Sequence, residues 1–600
     1  MNIDLKLVNM QPEEAPVAAI AKKLKEKIKF PCNKILLIHP HQIEEKDFFA
    51  EKALRGKYSI YPPYGCGVLA RNLLNRGYQP DILDLNFELL SAVRTNGFDY
   101  QCWKKILLER LRVFKPDLVG ISCMFSMSHD IMKEIAHQVK DYDFDIPIIC
   151  GGVHISDSKN LILENFPKIN FMGIYECDCS FPDLIDFVNN KLSMESLAQV
   201  AAIIDGKYVA LEARVSPTPE EIDAIPFYCD LPIESYSEFG QIGNYEIFTQ
   251  NRPVSTLETN RGCRAHCSFC TVPELFGKGI VRLRSIQSTT EEVGILYSRG
   301  IRHLEILDDD MLNKPDRIIA LLKAISDLKL DLTWSATNGL IASAITENVM
   351  EAMVASGCIG FNLGIESGNP QRLKEIHKPS GVRNFIKCKE ITDKYPHLFI
   401  RGYLIIGFPG ETVTEFMDTV NLGLELQFDW YNLQRLNPLP STEIYNTMVQ
   451  QGLIQNALNT DKRIYGPNSS LRIQERMEKL TTSEFFDLFN IGKPDDLIKE
   501  EHLDDYLFLM SYKLNYEIVF KITNEYKLKN KDMFFADICE RMAPESALDQ
   551  LFYGITRHKF RDKVEAAKRA VKVRELLAQS AYWQKRFEVL DLYPLVDSIS

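Results

Sequence analysis

Short apolar runs alternate with helix-like stretches along most of the chain, and this rhythm limits the possible folds more than any other feature of the sequence. The first series places its apolar runs at residues 34–39, 80–85, 117–122, 146–152 and 169–173. Strands that alternate with helices form parallel sheets that are covered by helices on both faces. We therefore predict an α/β protein whose residues 30–190 form a doubly wound, flavodoxin-like domain.

A second alternating series follows a proline-containing stretch, residues 191–250, that we interpret as a linker between domains. Its apolar runs lie at residues 254–259, 303–308, 332–337, 359–366, 399–406 and 430–436. Six strand and helix units indicate a partial (β/α)6 barrel of the TIM type over residues 251–455, although periodicity alone does not separate a barrel from a second open sheet. Residues 1–29 and 456–600 lack strand rhythm, so we predict an N-terminal helical segment and a helical C-terminal region.

Charge and hydropathy exclude several classes of partner. The chain has 70 basic and 82 acidic side chains and a formal net charge of −12, which repels nucleic-acid backbones. No uninterrupted apolar stretch approaches the roughly 18 to 20 residues that a membrane-spanning helix needs, and the N-terminus lacks the pattern of a secretory signal. We expect a cytoplasmic protein without a transmembrane segment or a nucleic-acid partner, whose 14 cysteines are thiols rather than disulfides.

Three cysteines differ from the rest because they form a C-x3-C-x2-C array directly after the first strand of the second series. Cys263, Cys267 and Cys270 supply three thiolates, which leave one iron of a four-iron cluster without a protein ligand. The alternative is a structural zinc site, which normally closes with four ligands and would need His266 as the fourth. His266 lies inside the loop, where reaching the same metal as both flanking thiolates is awkward.

This array, with Phe269 just before its last cysteine, resembles that of the radical S-adenosylmethionine (SAM) superfamily. The resemblance implies a [4Fe-4S] cluster whose open iron is chelated by SAM, which is then cleaved to a 5′-deoxyadenosyl radical. Later motifs match the family's barrel in order: an acidic turn at 308–310, GIESG at 364–368 and GYLIIGFPG at 402–410. Ser441 replaces the glycine of the PLPGT ending that several subfamilies carry.

The resemblance also assigns candidate roles to these motifs. Glu366 and Asp309 are the candidate catalytic residues. Candidate contacts of SAM are Phe269, Asp308, Asp310, Gly364 and Gly407. The alternatives are a solvated acidic turn and glycines that only turn the chain.

The N-terminal series lacks a G-x-G-x-x-G fingerprint after its first strand, which argues against a dinucleotide site. Its segments YPPYGCGVLARNLLNRGY, PDLVGISCMFS and PIICGGVH, placed ahead of a radical SAM barrel, resemble the cobalamin-binding domain of the B12-dependent radical SAM class. The resemblance places Ser122, Gly151 and Gly152 along the groove for the nucleotide tail, and Tyr64 near the lower face of the corrin.

Two further motifs of such domains are missing or incomplete in this chain. The D-x-H-x-x-G motif that supplies a histidine to cobalt is absent, and we interpret His39 and His41 as loop histidines. Glu176 lies where relatives carry a G-E-G-E turn, of which two positions match, so its role is open.

These resemblances imply three cofactors, namely the [4Fe-4S] cluster, SAM and cobalamin, and a methyltransferase that acts on an unactivated carbon or phosphorus. Alternatives are a cyclase, ring-contraction or oxygen-insertion enzyme of the same class, or a non-catalytic corrinoid-binding sensor. We expect a small-molecule, natural-product or lipid substrate and a reducing partner such as flavodoxin or ferredoxin. The sequence does not identify the substrate or the oligomeric state.

Overall fold

A computed structural model of the chain describes residues 14–158, 160–243, 245–249, 252–454, 493, 495–499 and 502–600. The predicted segment before residue 14 and most of the predicted C-terminal region before residue 502 lie outside these residues. No helix in the described ranges is long and apolar enough to cross a membrane.

The first sheet has the strand order β2-β1-β3-β4-β5-β6-β7, and its first five strands are parallel. Its strands are β1 (Lys34–His39), β2 (Gln79–Asp84), β3 (Leu118–Ser122), β4 (Ile148–Gly151), β5 (Phe171–Gly173), β6 (Val200–Ile204) and β7 (Lys207–Leu211). The interior of β1 is buried on both faces, as expected for a strand between two helical layers. The order reverses between β1 and β3, where doubly wound sheets open a ligand-binding crevice at their carboxyl ends.

Helices of this part of the chain pack around the first sheet or follow it. They are α1 (Glu14–Lys27), α2 (Ala50–Leu54), α3 (Tyr64–Asn75), α4 (Leu85–Ala92), α5 (Cys102–Phe114), α6 (His129–Tyr142), α7 (Val153–Ser158), α8 (Asn160–Asn165), α9 (Ser180–Val188), α10 (Pro219–Ile222) and α11 (Tyr236–Phe239). Hydrophobic side chains of α5 and α6 share one buried cluster with β3 and β4. The predicted doubly wound α/β fold is therefore confirmed.

Strands β6 and β7 form an antiparallel hairpin that extends the first sheet, inside the segment interpreted as a linker. Asp205 and Gly206 form its turn with φ values of 48° and 76°. Positive φ at both central residues defines the tight turn that joins two antiparallel strands. Helix α1 contacts both strands and completes this end of the domain.

The second sheet has six parallel strands in chain order, β8-β11-β12-β13-β14-β15. Its strands and the short pair β9–β10 are β8 (Val254–Leu257), β9 (Asn260–Arg261), β10 (Arg282–Leu283), β11 (His303–Ile306), β12 (Thr333–Leu340), β13 (Cys358–Glu366), β14 (Phe399–Ile406) and β15 (Trp430–Arg435). An order without reversal lets the sheet curl in one direction, which a doubly wound sheet does not do. The predicted partial barrel is confirmed over an open second sheet.

Helices alternate with these strands and continue into the C-terminal region. The barrel helices are α12 (Val272–Phe276), α13 (Ile286–Ser298), α14 (Pro315–Asp327), α15 (Glu347–Ala355), α16 (Pro370–Glu375), α17 (Val382–Thr392), α18 (Val413–Leu426) and α19 (Glu443–Gln450). The C-terminal helices are α20 (Leu503–Ser511), α21 (Glu525–Asp537), α22 (Ala547–Lys559), α23 (Lys563–Gln579), α24 (Ala581–Val589) and α25 (Tyr593–Ser598).

The C-terminal region closes the amino end and one edge of the barrel. Phe534 packs against Phe399 and Trp430, the first residues of β14 and β15, with ring centroids 5.7 and 4.4 Å away. The Tyr431 amide donates to Asn515 Oδ1 at 2.8 Å, and Asn515 Nδ2 donates to the Tyr431 carbonyl at 2.9 Å. A side-chain amide thus covers backbone groups of an edge strand that would otherwise lack partners.

Candidate functional site

The three cysteines of the array lie on the loop that β9 and β10 close at its base. Burial, together with the nearby charge of Cys267, raises the pKa of Cys263 and Cys270 to about 12. Gly262 begins this loop with a φ of 81°, and a Cβ there would lie 2.3 Å from the Ile280 carbonyl oxygen. The loop therefore gathers three thiols and needs a glycine at its entrance.

His266 does not complete a structural zinc site. Its side chain is exposed and stacks on His377, with ring centroids 5.2 Å apart. Among the described residues, no three His, Cys, Asp or Glu side chains converge closely enough to hold a single metal ion. Thiolates that bind separate irons of a cubane need not converge in this way, so the donor set fits a four-iron cluster with one open iron.

The acidic turn after β11 contacts the base and the entrance of the cluster loop. Asp308 is buried and accepts hydrogen bonds from the Thr259 amide at 2.5 Å and the Asn260 amide at 3.2 Å. Asp309 accepts from the Gly262 amide at 2.9 Å, and Asp310 pairs with Arg264 at 3.1 Å. Burial raises the pKa of Asp308 to about 7 and that of Asp309 to about 6. These contacts favour a supporting role for all three aspartates. The contacts of Asp308 and Asp310 with SAM and the catalytic role of Asp309 stay predictions.

Glu366 ends β13 in a strained conformation and forms a buried ion pair that the sequence did not reveal. Its φ is 68°, and the register of β13 against β14 shifts between Gly364 and Glu366. Such strain and bulges occur at functional sites. Lys378 Nζ donates to Glu366 Oε1 at 2.9 Å. Burial alone would lower the pKa of Lys378, but Glu366 and Cys267 raise it.

A cavity of about 300 Å³ opens beside the cluster loop at the carboxyl end of the barrel. Its lining residues are Phe269, Glu366, Tyr403, Leu404, Ile405, Gln434, Arg435, Leu436, Asn437 and Leu439. The walls thus combine one carboxylate, one guanidinium, two amides and several apolar side chains. Active sites of β/α barrels lie at this end, and the structure brings the predicted residues Phe269 and Glu366 together here.

The two glycines predicted to contact SAM have different surroundings. A Cβ on Gly364 would lie 2.7 Å from Lys378 Nζ and 2.9 Å from Glu366 Oε1, so this glycine makes room for the ion pair. A Cβ on Gly407 would lie 3.1 Å from a methyl group of Leu503, on helix α20. The cofactor contact of Gly407 stays a prediction, and its observed neighbour belongs to the C-terminal region.

The carboxyl edge of the first sheet carries the residues predicted to line the cobalamin groove. Gly152 has a φ of 110°, and a Cβ there would lie 2.5 Å from the Cys123 carbonyl oxygen, whereas a Cβ on Gly151 would meet nothing closer than 3.8 Å. Ser122 ends the neighbouring strand β3. Met124 and Phe125, in the next loop, are 53% and 44% exposed. Open space beside Gly151 and exposed apolar side chains fit the face of a large, flat macrocycle.

The two histidines at the end of β1 and just beyond it have partners within the first domain. His39 Nδ1 lies 3.0 Å from Asp84 Oδ1. His41 is buried against Tyr100 and Trp103, and burial lowers its pKa to about 4. His39 is thus the last residue of β1 and not a loop residue, whereas His41 lies in the loop after the strand, as interpreted.

Hydrogen bonds between the two domains bring the carboxyl ends of their sheets together. The Tyr64 hydroxyl accepts a hydrogen bond from Arg284 Nη1 at 2.9 Å, so Tyr64 lies at the junction of the domains and its predicted position under the corrin stays a prediction. Ser441, after β15, donates to Asp157 of α7 at 2.7 Å. Arg284 and Lys378 belong to no sequence motif, and their partners Tyr64 and Glu366 lie 220 and 12 residues away.

Comparisons with known proteins agree with this two-domain architecture. Residues 257–423 match the Radical SAM superfamily, and residues 57–184 match the B12 binding domain. The chain is 28% identical over 347 residues to the uncharacterized methyltransferase PH0819 of Pyrococcus horikoshii, covering 57% of this chain and 72% of the relative. It is 28% identical over 462 residues to the cytidylyl-2-hydroxyethylphosphonate methyltransferase of Streptomyces wedmorensis, covering 70% and 82%.

Two solved structures share the fold at low sequence identity. The radical SAM methyltransferase TsrM from Kitasatospora setae, solved with cobalamin and a [4Fe-4S] cluster, has a TM-score of 0.54 at 18% identity and covers 70% of this chain and 78% of its own. The cobalamin-dependent SAM radical enzyme OxsB, solved with aqua-cobalamin, has a TM-score of 0.60 at 14% identity and covers 96% and 89%. The second similarity extends over the C-terminal region.

Proposed function

Because this chain is a cobalamin-dependent radical SAM enzyme, with a B12-binding domain joined to a radical SAM domain, we propose that it transfers a methyl group to an unactivated carbon or phosphorus atom of a small substrate. The observation that carries the proposal is the juxtaposition of two edges: the three cysteines and the 300 Å³ cavity lie at the end of the barrel that meets the carboxyl edge of the first sheet. When bound, the cluster and SAM supply a hydrogen-abstracting radical, and cobalamin supplies the methyl group.

The chain's own residues hold and orient these groups. Cys263, Cys267 and Cys270 would ligate the cluster, while Asp309 keeps the loop entrance in place through the Gly262 amide. Phe269 and Glu366 would border SAM or the substrate in the cavity. Fixing reactants in one geometry removes much of the entropic barrier that a bimolecular encounter would face.

We expect an electron donor such as flavodoxin or ferredoxin to approach from the side of Cys267. The contact between Cys267 Sγ and the His377 carbonyl lies at the protein surface. The stacked rings of His266 and His377 form part of the same surface.

The experiment does not require a known substrate. The anaerobically reconstituted protein is mixed with hydroxocobalamin, dithionite and SAM that carries a deuterated methyl group. We expect the visible absorption of a bound corrin, labelled methylcobalamin in the mass spectrum, and 5′-deoxyadenosine that forms slowly without substrate. Incubation with a small-molecule extract then identifies products that have gained the labelled methyl group.

Two outcomes would contradict the proposal. Formation of 5′-deoxyadenosine without any labelled methylcobalamin would favour a cyclase, ring-contraction or oxygen-insertion reaction. Corrin binding without 5′-deoxyadenosine, in protein whose iron content is complete, would favour a corrinoid-binding sensor.

A further inference from the structure

The base of the cluster loop contains two arginines that face each other directly. Arg261 of β9 pairs in register with Arg282 of β10, in an antiparallel ladder of only two residues per strand. Like charges opposite each other destabilise a strand pair. Both side chains are largely buried, at 7% and 12% exposure, so water does little to screen the repulsion. This ladder therefore needs neutralising groups from elsewhere.

The neutralising groups come mainly from the other domain. Glu176, in the loop after β5, lies between the two arginines, 3.1 Å from Arg261 Nη1 and 2.8 Å from Arg282 Nη1. Asp178 of the same loop also contacts Arg261. Glu258 of the barrel pairs with Arg261 Nε at 2.7 Å. Two carboxylates of the first domain are thus built into the base of the cluster loop.

The acidic loop is itself fixed to the first sheet. Gln199, directly before β6, donates from Nε2 to the Glu176 carbonyl at 2.8 Å. Asn72 of α3 donates to the Asp178 carbonyl at 3.1 Å. A continuous set of contacts therefore runs from the carboxyl edge of the first sheet to Arg261, two residues before the cluster ligand Cys263.

We propose that Glu176 and Asp178 are positioning residues that set the placement of the cluster loop relative to the cobalamin-binding edge. They act through Arg261 and Arg282 and touch neither cofactor. This inference rests on the proposed binding of both cofactors. Its physical basis is that the arginine ladder is stable only while the acidic loop is docked. The two cofactor sites therefore keep a fixed position relative to each other.

The decisive variant is Glu176→Gln, which keeps the shape of the side chain and removes its charge. In the full-length chain we expect about tenfold faster hydrogen exchange in peptides covering residues 259–283, because local opening becomes easier. In protein loaded with cob(II)alamin and the reduced cluster, pulsed EPR should give a broader distribution of distances between the two paramagnets. Iron and corrin contents should equal those of the wild type.

Asp183→Asn is the matched control. Asp183 lies on α9, soon after the acidic loop, and pairs with Arg76 of the same domain at 2.5 Å. The variant removes one acidic charge close to the acidic loop without touching the barrel. Neither the exchange of residues 259–283 nor the distance distribution should change in this variant.

A double-mutant cycle of Glu176→Gln and Arg282→Gln tests the same contact if Glu176→Gln folds poorly. Arg282→Gln alone should also loosen the loop, because Glu176, Asp178 and Glu258 then share Arg261 alone. The double variant should be less affected than the sum of the two, since it removes both partners of one contact. Strict additivity, or an unchanged EPR distance distribution in Glu176→Gln, would overturn the inference alone. A wild-type chain that takes up no cobalamin would overturn the proposed function and this inference together, before any variant is compared.

Discussion

The two sheet edges that face each other support their loops by different means. At the barrel edge, buried carboxylates hold the loops: Asp308 and Asp309 accept backbone hydrogen bonds, and Glu366 pairs with Lys378. At the edge of the first sheet, the loop between β4 and α7 depends on the close backbone approach at Gly152, beside exposed apolar side chains. In these loops, charge organises the barrel edge, and close packing organises the edge of the first sheet.

This difference follows from what each edge would hold. A cluster bound by only three thiolates needs its loop fixed by strong, directional contacts, which charge-assisted hydrogen bonds provide. A large macrocycle is held over many weak contacts and needs an open, complementary surface. Each edge should therefore be able to lose its own cofactor while the other keeps its cofactor, although the acidic loop couples their placement.

Cys263→Ala should have the largest effect and separate the two edges. The variant has two thiolates left, so we expect it to lose the cluster iron and all formation of 5′-deoxyadenosine. Cobalamin binding should persist, because its predicted contacts lie on the first sheet. Iron analysis and the corrin absorption spectrum of the same sample measure both properties. Simultaneous loss of the corrin would show that the edges are not independent.

Gly152→Val should produce the converse loss. Its Cβ would overlap the Cys123 carbonyl, and a φ of 110° strains any side chain, at a cost of about 1 to 3 kcal/mol. We expect cobalamin affinity to fall by roughly tenfold or more, with full iron content. Equilibrium titration of the corrin spectrum measures the affinity.

Gly151→Ala separates backbone strain from cofactor contact, because a Cβ there meets protein only at 3.8 Å. The melting temperature should match the wild type. If cobalamin affinity nevertheless falls, the corrin or its tail occupies the open space beside Gly151, as predicted. If the melting temperature falls equally in both glycine variants, loss of affinity would follow from a less stable domain. That result would contradict a role of Gly151 in binding cobalamin.

The sequence was sufficient for the parallel strands of both sheets and insufficient for contacts between residues that are far apart in the chain. Apolar runs placed β1 and β14 at their observed bounds, because a parallel strand that is buried on both faces consists of a continuous run of apolar residues. The hairpin at Asp205 and Gly206 was missed although a D-G pair is a hairpin signal, since its flanking strands are short and partly exposed. Arg261 and Arg282 carry no local pattern at all, because their partner Glu176 lies in another domain.

Lys378→Met tests how far the barrel edge depends on charge. Lys378 and Glu366 are each 9% exposed at the side chain, and removing one partner of a buried pair costs about 3 to 5 kcal/mol. We expect a clear fall in melting temperature and weaker retention of iron. The double variant Glu366→Gln, Lys378→Met should recover part of the stability, since it leaves no unpaired charge. A double variant no better than the single one would mean that packing, and not charge, holds this edge.

Ser441 should give the smallest effect and report on how the two edges meet. Its φ of 70° is unfavourable for a side chain, at a cost of about 1 to 2 kcal/mol, while its hydrogen bond to Asp157 joins the domains and contributes about 0.5 to 1.5 kcal/mol. Ser441→Ala keeps the strain and loses the bond, whereas Ser441→Gly loses both. Hydrogen exchange of α7 should therefore rise by severalfold in the alanine variant and little in the glycine variant. If both variants exchange equally fast, the hydrogen bond to Asp157 contributes more to the stability of this contact than relief of the strain does. Ser441 would then connect the two edges even though a glycine would relieve the strain.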